Sequence, residues 1–144
     1  MDWYYPVLGG AVLGDAGRER LRDGWDTFIM EGKGTRCVSS NPWTTAAETC
    51  ECVMAHLAVG EDEKALDLLR WIQVLRDADG AYFTGIVYPE LEHFPGNERS
   101  TYTAAAVVLA ADALAQASPA WQLFVDHSSL PELVDTSDPV NDPD

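Results

Sequence analysis

The sequence predicts an all-α fold, a segment of an α/α toroid built from about two helical hairpins with long aromatic loops, and three observations carry that prediction. Helical periodicity alternates between amphipathic stretches and stretches that are apolar on nearly every side. The segments between them are rich in Gly, Pro and aromatic residues and lack helical periodicity. A unit also recurs: Trp43-Thr44-Thr45-Ala46-Ala47 returns as Tyr102-Thr103-Ala104-Ala105-Ala106, 59 residues on, and Trp25 and Gly34 return as Trp71 and Gly80, 46 residues on. Repeats of this kind mean stacked helical hairpins. Half-exposed helices alternating with fully buried ones imply a concentric arrangement, outer helices facing solvent and inner ones lining the centre.

The elements follow in order. Residues 2–13 combine Trp3, Tyr4, Tyr5 and Pro6 with Gly9 and Gly10, and read as an irregular aromatic loop. Asp15 caps a helix in which Leu21, Trp25, Phe28 and Ile29 recur at steps of three and four, ending near Gly32. After a polar loop at 33–41, Pro42 opens a second helix through Trp43 and Glu48 to Leu57 and Ala58, apolar all round and closed by Gly60. The acids Glu61, Asp62 and Glu63 supply the first turn of a third, amphipathic helix carrying Ala65, Leu66, Leu69, Ile72 and Leu75. Residues 77–99 form a long loop with Tyr82, Phe83, Tyr88, His93 and Phe94, of a length that is usually functional or disordered. Residues 100–117 form a fourth helix, Ala-rich and buried by the same argument as the second. Residues 1–124 are thus read as a partial toroid domain and 125–144 as an acidic, unstructured tail.

Composition narrows the function. With 9 Lys plus Arg against 24 Asp plus Glu, the formal charge is −15, which repels a phosphate backbone; nucleic acid is not expected as a partner. The longest run free of charge and Pro, residues 100–111, falls short of the roughly 20 apolar residues a membrane span needs. Three cysteines, two of them at Cys50 and Cys52, do not form a disulfide framework, and the start lacks a signal-peptide pattern, so a reduced cytoplasmic setting is expected. Two hairpins cannot close a ring without exposing the inner helices; further hairpins upstream, or self-association, would have to complete it.

Several motifs resemble a known family. Asp2-Trp3-Tyr4-Tyr5-Pro6-Val7-Leu8-Gly9-Gly10-Ala11, Arg36-Cys37-Val38-Ser39, Pro42-Trp43-Thr44-Thr45-Ala46-Ala47-Glu48-Thr49 and the run from Glu98-Arg99-Ser100-Thr101-Tyr102 through Leu114 resemble the C-terminal part of bacterial α/α-toroid proteins labelled prenyltransferase. The resemblance covers residues 2–116, so the chain is expected to be a fragment of a longer protein. It implies kinship with terpenoid cyclases and protein prenyltransferases, and full-length members are also similar to glucoamylase-type six-hairpin glycosidases. It therefore implies a catalytic domain acting on a prenyl or glycosyl substrate, and fold alone does not choose between them.

Each chemistry demands different residues. Asp77-Ala78-Asp79-Gly80 lacks the third acid of a cyclase motif and reads as a helix-ending turn. Cys52 and His56, four residues apart on one helical face, make a partial zinc site at most, while buried free Cys is common as plain core; no cofactor or metal is expected. A sugar hydrolase needs two carboxylates and aromatic platforms. Among Asp2, Glu48, Glu90, Glu92 and Glu98, Glu48 is the candidate acid/base, because it sits one turn inside a helix of Thr, Ala and Cys. Its alternative role is a capping interaction with Thr44 or Thr45. The expected substrate walls are Trp3, Tyr5, Trp43, Tyr82, Tyr88 and Tyr102, with Arg36 and Arg99 as anion clamps unless they only pair with neighbouring acids. The competing reading is a non-catalytic helical module that binds a protein partner or a glycan.

Overall fold

The computed structural model describes residues 2–128. It corrects the fold class: the described residues are mixed α/β rather than an all-α toroid segment, because they include two small antiparallel sheets, formed where the sequence reads as loop and at the expected helix ends, Ile29–Met30 and Trp43–Thr45. The acidic tail expected at 125–144 lies, from residue 129 on, outside the described residues.

Helix α1 (Tyr5–Leu8) is a single turn inside the expected aromatic loop, with Pro6 in its first turn, where a missing N–H costs nothing. Helix α2 (Gly14–Phe28) begins after an extended Leu13 and stops four residues before Gly32, because the chain turns extended at Ile29. Strands β1 (Ile29–Met30) and β2 (Gly34–Thr35) form a hairpin with Ile29 opposite Thr35. Strand β3 (Trp43–Thr45) leads directly into α3 (Ala46–Ala58). The residues expected as the first turn of that helix are therefore strand, and Thr44 and Thr45 are β-branched residues suited to it.

Helix α4 (Asp62–Trp71) carries Asp62 and Glu63 in its first turn and Arg70 in its last, matching the helix dipole, and continues as a 3₁₀ turn (Ile72–Leu75). Strands β4 (Gly85–Val87) and β5 (Glu92–Phe94) complete the second sheet in the order β3-β4-β5, with Thr45 opposite Gly85 and Gly85 opposite Phe94. Helix α5 (Thr101–Ala115) starts at Ser100, whose hydroxyl accepts from the Thr103 N–H, and ends at a left-handed Gln116; a 3₁₀ turn (Pro119–Phe124) follows. These strands are two or three residues long, too short for the alternating pattern that reveals a strand in sequence.

Helix α3 is the centre of the structure and packs against α1, α4 and α5. Ala46, Ala47, Cys50, Cys52, Val53, Met54 and Ala55 are buried, joined in the core by Tyr4, Val7, Leu21, Leu68, Ile72 and Leu75. The all-round burial expected of α3 largely holds. That expected of α5 does not: Tyr102 is 59% and Val108 66% exposed, because the helix is covered on one side only. The repeated tryptophans meet, Trp25 and Trp71 lying edge to face with centroids 6.5 Å apart.

Thr49 ties the hairpin to the central helix. Its buried hydroxyl accepts from the Thr35 N–H at 2.9 Å and donates to the Thr45 carbonyl at 2.6 Å. Gly34 makes room for it, with φ of +123° and a position where a Cβ would stand 2.8 Å from the Thr49 oxygen. Replacing Thr49 with Val keeps the shape and strands the Thr35 N–H without a partner, so Thr49→Val is expected to cost about 1–3 kcal/mol in a denaturant titration.

Candidate functional site

The site is assembled by the docking of residues 2–8 on α2 and α3. Trp3 lies against α2 at Gly24, where a Cβ would come within 2.4 Å of the indole, and stacks on Phe28 with centroids 5.5 Å apart and planes 6° from parallel. Arg20 fixes the segment by donating from Nε to the Trp3 carbonyl and from Nη2 to the Asp2 carbonyl, each at 2.7 Å. This seating carries Tyr4 into the core and sets Tyr5 across it, ring edge to face at 5.0 Å.

Both tyrosines then meet Glu51 on α3. The buried Tyr4 hydroxyl donates to Glu51 Oε2 at 2.6 Å, and the Tyr102 hydroxyl, from the first turn of α5, donates to Glu51 Oε1. Tyr5 interacts with Glu51 and Tyr102 in the same cluster. Burial and the Glu51 carboxylate push the Tyr4 phenol far up, while for Tyr102 the hydrogen bond to Glu51 leads and burial adds to it. The phenols are thus held protonated, as donors.

Beside this cluster lies a cavity of about 400 Å³, within the range of about 300–1,000 Å³ for small-molecule sites. The interacting Tyr5, Glu51 and Tyr102 line it together with Leu8, Gly9, Met54, Ala105, Ala106, Leu109 and Phe124; Glu48 does not.

Glu48 sits one turn before Glu51 on α3, and residues three apart share a helix face. Its Oε2 accepts from the Thr45 hydroxyl, and the half-buried Cys37 thiol is hydrogen-bonded to it as well. Burial, and then the charge of Glu48, raise the Cys37 thiol. The capping alternative therefore describes part of what Glu48 does: Thr45 and Glu48 hold the spacing of a capping box, but the bond joins their two side chains.

The other expected wall residues are dispersed. Of them, Tyr5 and Tyr102 line the cavity. Trp3 belongs to the core. Trp43 stacks on Phe94 of the sheet at 4.6 Å, Tyr88 is buried beneath Lys33, whose Nζ is 4.6 Å from its ring centre, and Tyr82 donates to Gln73 Oε1 at 2.8 Å. Arg99 bridges Asp77 Oδ2 at 3.0 Å and Asp79 Oδ2 at 2.7 Å, clamping the turn after α4, and Arg36 Nη1 donates to the Ser39 carbonyl at 3.3 Å. Neither arginine lines the cavity. Sequence reasoning missed Glu51, Met54 and Phe124; of these Glu51 carried a usable signal, its spacing of three from Glu48.

Among the described residues no three His, Cys, Asp or Glu side chains are grouped so that they could hold a metal ion. The Cys52 thiol, fully buried, is pushed up to about 12 by burial despite a hydrogen bond with Thr35. His56 is buried with its Nδ1 2.7 Å from Glu61 Oε2 and its ring edge to face with Trp25 at 5.5 Å. Burial lowers its pKa against the raising effect of Glu61. Burial alone would raise the Glu61 carboxyl, but hydrogen bonds from Lys64 and His56 outweigh it and hold it low.

The unfolded chain therefore takes up protons first, its His near 6.5. The stability from neutral His56 is full above that pH and is lost as pH falls through it towards the lower folded value; Glu61, held low, works in the same direction at more acid pH. The melting temperature is expected to fall as pH drops from about 7 to about 5, and to fall less in His56→Gln, as checked by calorimetry across that range.

No protein-family model matches the chain. Among the described residues no helix is long and apolar enough to cross a membrane. Over 124 residues the chain is 47% identical to the MMP endo-(1,4)-3-O-methyl-alpha-D-mannosidase of Mycolicibacterium hassiacum, a match that takes in 86% of this chain and 34% of that protein. The chain thus spans about a third of the length of this curated relative, which by its name is a glycan-acting enzyme and not a prenyltransferase.

Proposed function

We propose that the chain is part of a glycoside hydrolase that cleaves 1,4-linked α-mannosidic chains carrying 3-O-methyl groups, with Glu48 as one of its two working carboxylates. The observation that carries this reading is the pair of carboxylates on α3: Glu51 lines a cavity together with Tyr5 and Tyr102, and Glu48, outside that lining, stands one turn before it on the same largely buried helix. The likeness to a mannosidase supports it. A prenyl diphosphate would call for cations at the cavity, and Arg36 and Arg99 are engaged elsewhere.

Hydrolysis breaks the bond between the anomeric carbon and the bridging oxygen; a water oxygen joins the carbon, one of the water's protons is lost, and a proton goes to the leaving oxygen. Glu48 is suited to one of those proton transfers because Thr45 and Cys37 fix its carboxylate at the start of a rigid helix. Glu51 is less suited, since both its oxygens already accept from phenols; it holds the wall of the site. We assign one of the two carboxylates to this chain, which corresponds to about a third of the relative.

In the full polypeptide, Glu48→Gln is expected to lower kcat on a methylated α-1,4-mannan by about 10²–10⁴-fold with substrate binding retained, as measured by reducing-end release alongside a binding isotherm. Unchanged turnover contradicts the assignment. Binding by a wild-type protein that hydrolyses nothing points instead to a non-catalytic glycan-binding module.

A further inference from the structure

We propose that the outer face of α5 is the surface on which the rest of the enzyme's polypeptide docks, through a helix laid along Thr101, Ala104, Val108, Ala111 and Ala115. That there is more polypeptide rests on the reading of the chain as part of a longer glycoside hydrolase; the place where it docks rests on α5 itself.

The exposed positions of α5 run from Thr101 to Ala115, and none of them carries a charge. Asp112, the one charged residue of the helix, accepts from the Ser118 N–H at 2.9 Å and hydroxyl at 2.8 Å, which ties it to the turn that follows. The exposed positions of α2 and α4 are mostly charged, as a solvated helix face requires. In a chain of formal charge −15, a helix face without charge over four turns, on which Val108 is 66% exposed, is built to be covered. Thr101, Ala104, Val108, Ala111 and Ala115 are all exposed and follow one another at steps of three and four, the spacing that meets a second helix lying nearly parallel.

The size of the face selects its occupant. Stable interfaces between separate chains take about 20–30 residues from each side, and this face offers a handful, mostly Ala. Two copies of the chain would also bring together two bodies of charge −15. A tethered partner needs less contact, because the link supplies a high effective concentration. The match to the mannosidase takes in 34% of that protein, so on the proposed reading most of the enzyme lies outside these 144 residues and provides that partner. Tyr102, Ala105 and Leu109 of the same helix line the cavity, so a helix seated over Val108 stands beside it. The carboxylate that complements Glu48 is to be sought on the part that docks there.

The test compares thermal unfolding of the same variants in the 144-residue chain and in the full polypeptide, with light scattering of the 144-residue chain alongside. Val108→Glu is expected to move the Tm of the 144-residue chain by no more than about 2 °C, as at an exposed position, and to lower that of the full polypeptide by about 5 °C or more. Should Val108→Glu keep the full polypeptide from folding, Val108→Ala decides: Ala is the better helix former, so the 144-residue chain keeps or gains Tm while the full polypeptide loses about 2 °C or more. An unchanged Tm in the full polypeptide overturns the proposal. So does an equal fall in the 144-residue chain, which would mean that the chain covers the face itself, and so does a dimer of the 144-residue chain that Val108→Glu splits, which would make a second copy the occupant. Melting reads docking and not turnover, so it can fail while Glu48→Gln abolishes hydrolysis. A full polypeptide that hydrolyses nothing yet loses Tm on Val108→Glu sinks the enzyme reading and keeps the docking face.

Discussion

Three segments far apart in sequence meet at one carboxylate. Glu51 accepts from Tyr4, which the docked start of the chain supplies, and from Tyr102 at the start of α5, while belonging itself to the central helix. Bonds of this kind, neutral donor to ionised acceptor, are roughly twice as strong as those between neutral groups. They also have direction, so they set where α1 and α5 stand relative to α3, and with that the shape of the cavity between them. Apolar packing alone would allow these elements to slide, since the surface of α5 facing α3 is made of small residues, Ala106, Val107, Ala110 and Ala113.

The other side of α3 is fixed by different means. The chain passes from β3 into the helix without a loop, and the sheet holds that junction: Thr45 lies opposite Gly85, and the Ala46 N–H donates to the Thr84 carbonyl at 3.0 Å. Glu48 is therefore mounted one turn from a paired strand and braced by Thr45 and Cys37. A group that has to move a proton at a defined point gains from such a mounting, because misplacement of the order of 1 Å costs about a hundredfold in rate. The acidic face of α3 thus joins Glu48, braced at the sheet junction, to Glu51, which lines the cavity.

The helices were legible because the sequence shows their period or their composition: Leu21, Trp25 and Phe28 in α2, Ala65, Leu66 and Leu69 in α4, and the Ala-rich, nearly uncharged run of α5, although in α4 it is Leu68 that is fully buried while Leu66 is exposed. The sheets were not, because Gly85–Val87 and Trp43–Thr45 are three residues each and their partners lie in another part of the chain. That gap misdirected the wall residues. Trp43 at a helix start and Tyr82 and Tyr88 in a long loop read as substrate walls because they are aromatic, whereas strand pairing and the turn after α4 draw them to the sheet and to Gln73. The contact of Glu48 with Thr45 was legible through the capping-box spacing, and the pairing of Arg99 with neighbouring acids through charge alone. Glu51 was passed over because nothing in a linear reading shows that Tyr4 and Tyr102 converge on it.

The dependence of the site on Glu51 can be measured by hydrogen exchange on the wild-type chain and on Glu51→Ala. If the carboxylate holds the three segments together, exchange accelerates at residues 5–10 and in the first two turns of α5 while the amides of α4, which do not touch it, keep their protection. Unchanged protection at residues 5–10 and at the start of α5 would mean that apolar packing alone sets the cavity, and would contradict the central place given to Glu51.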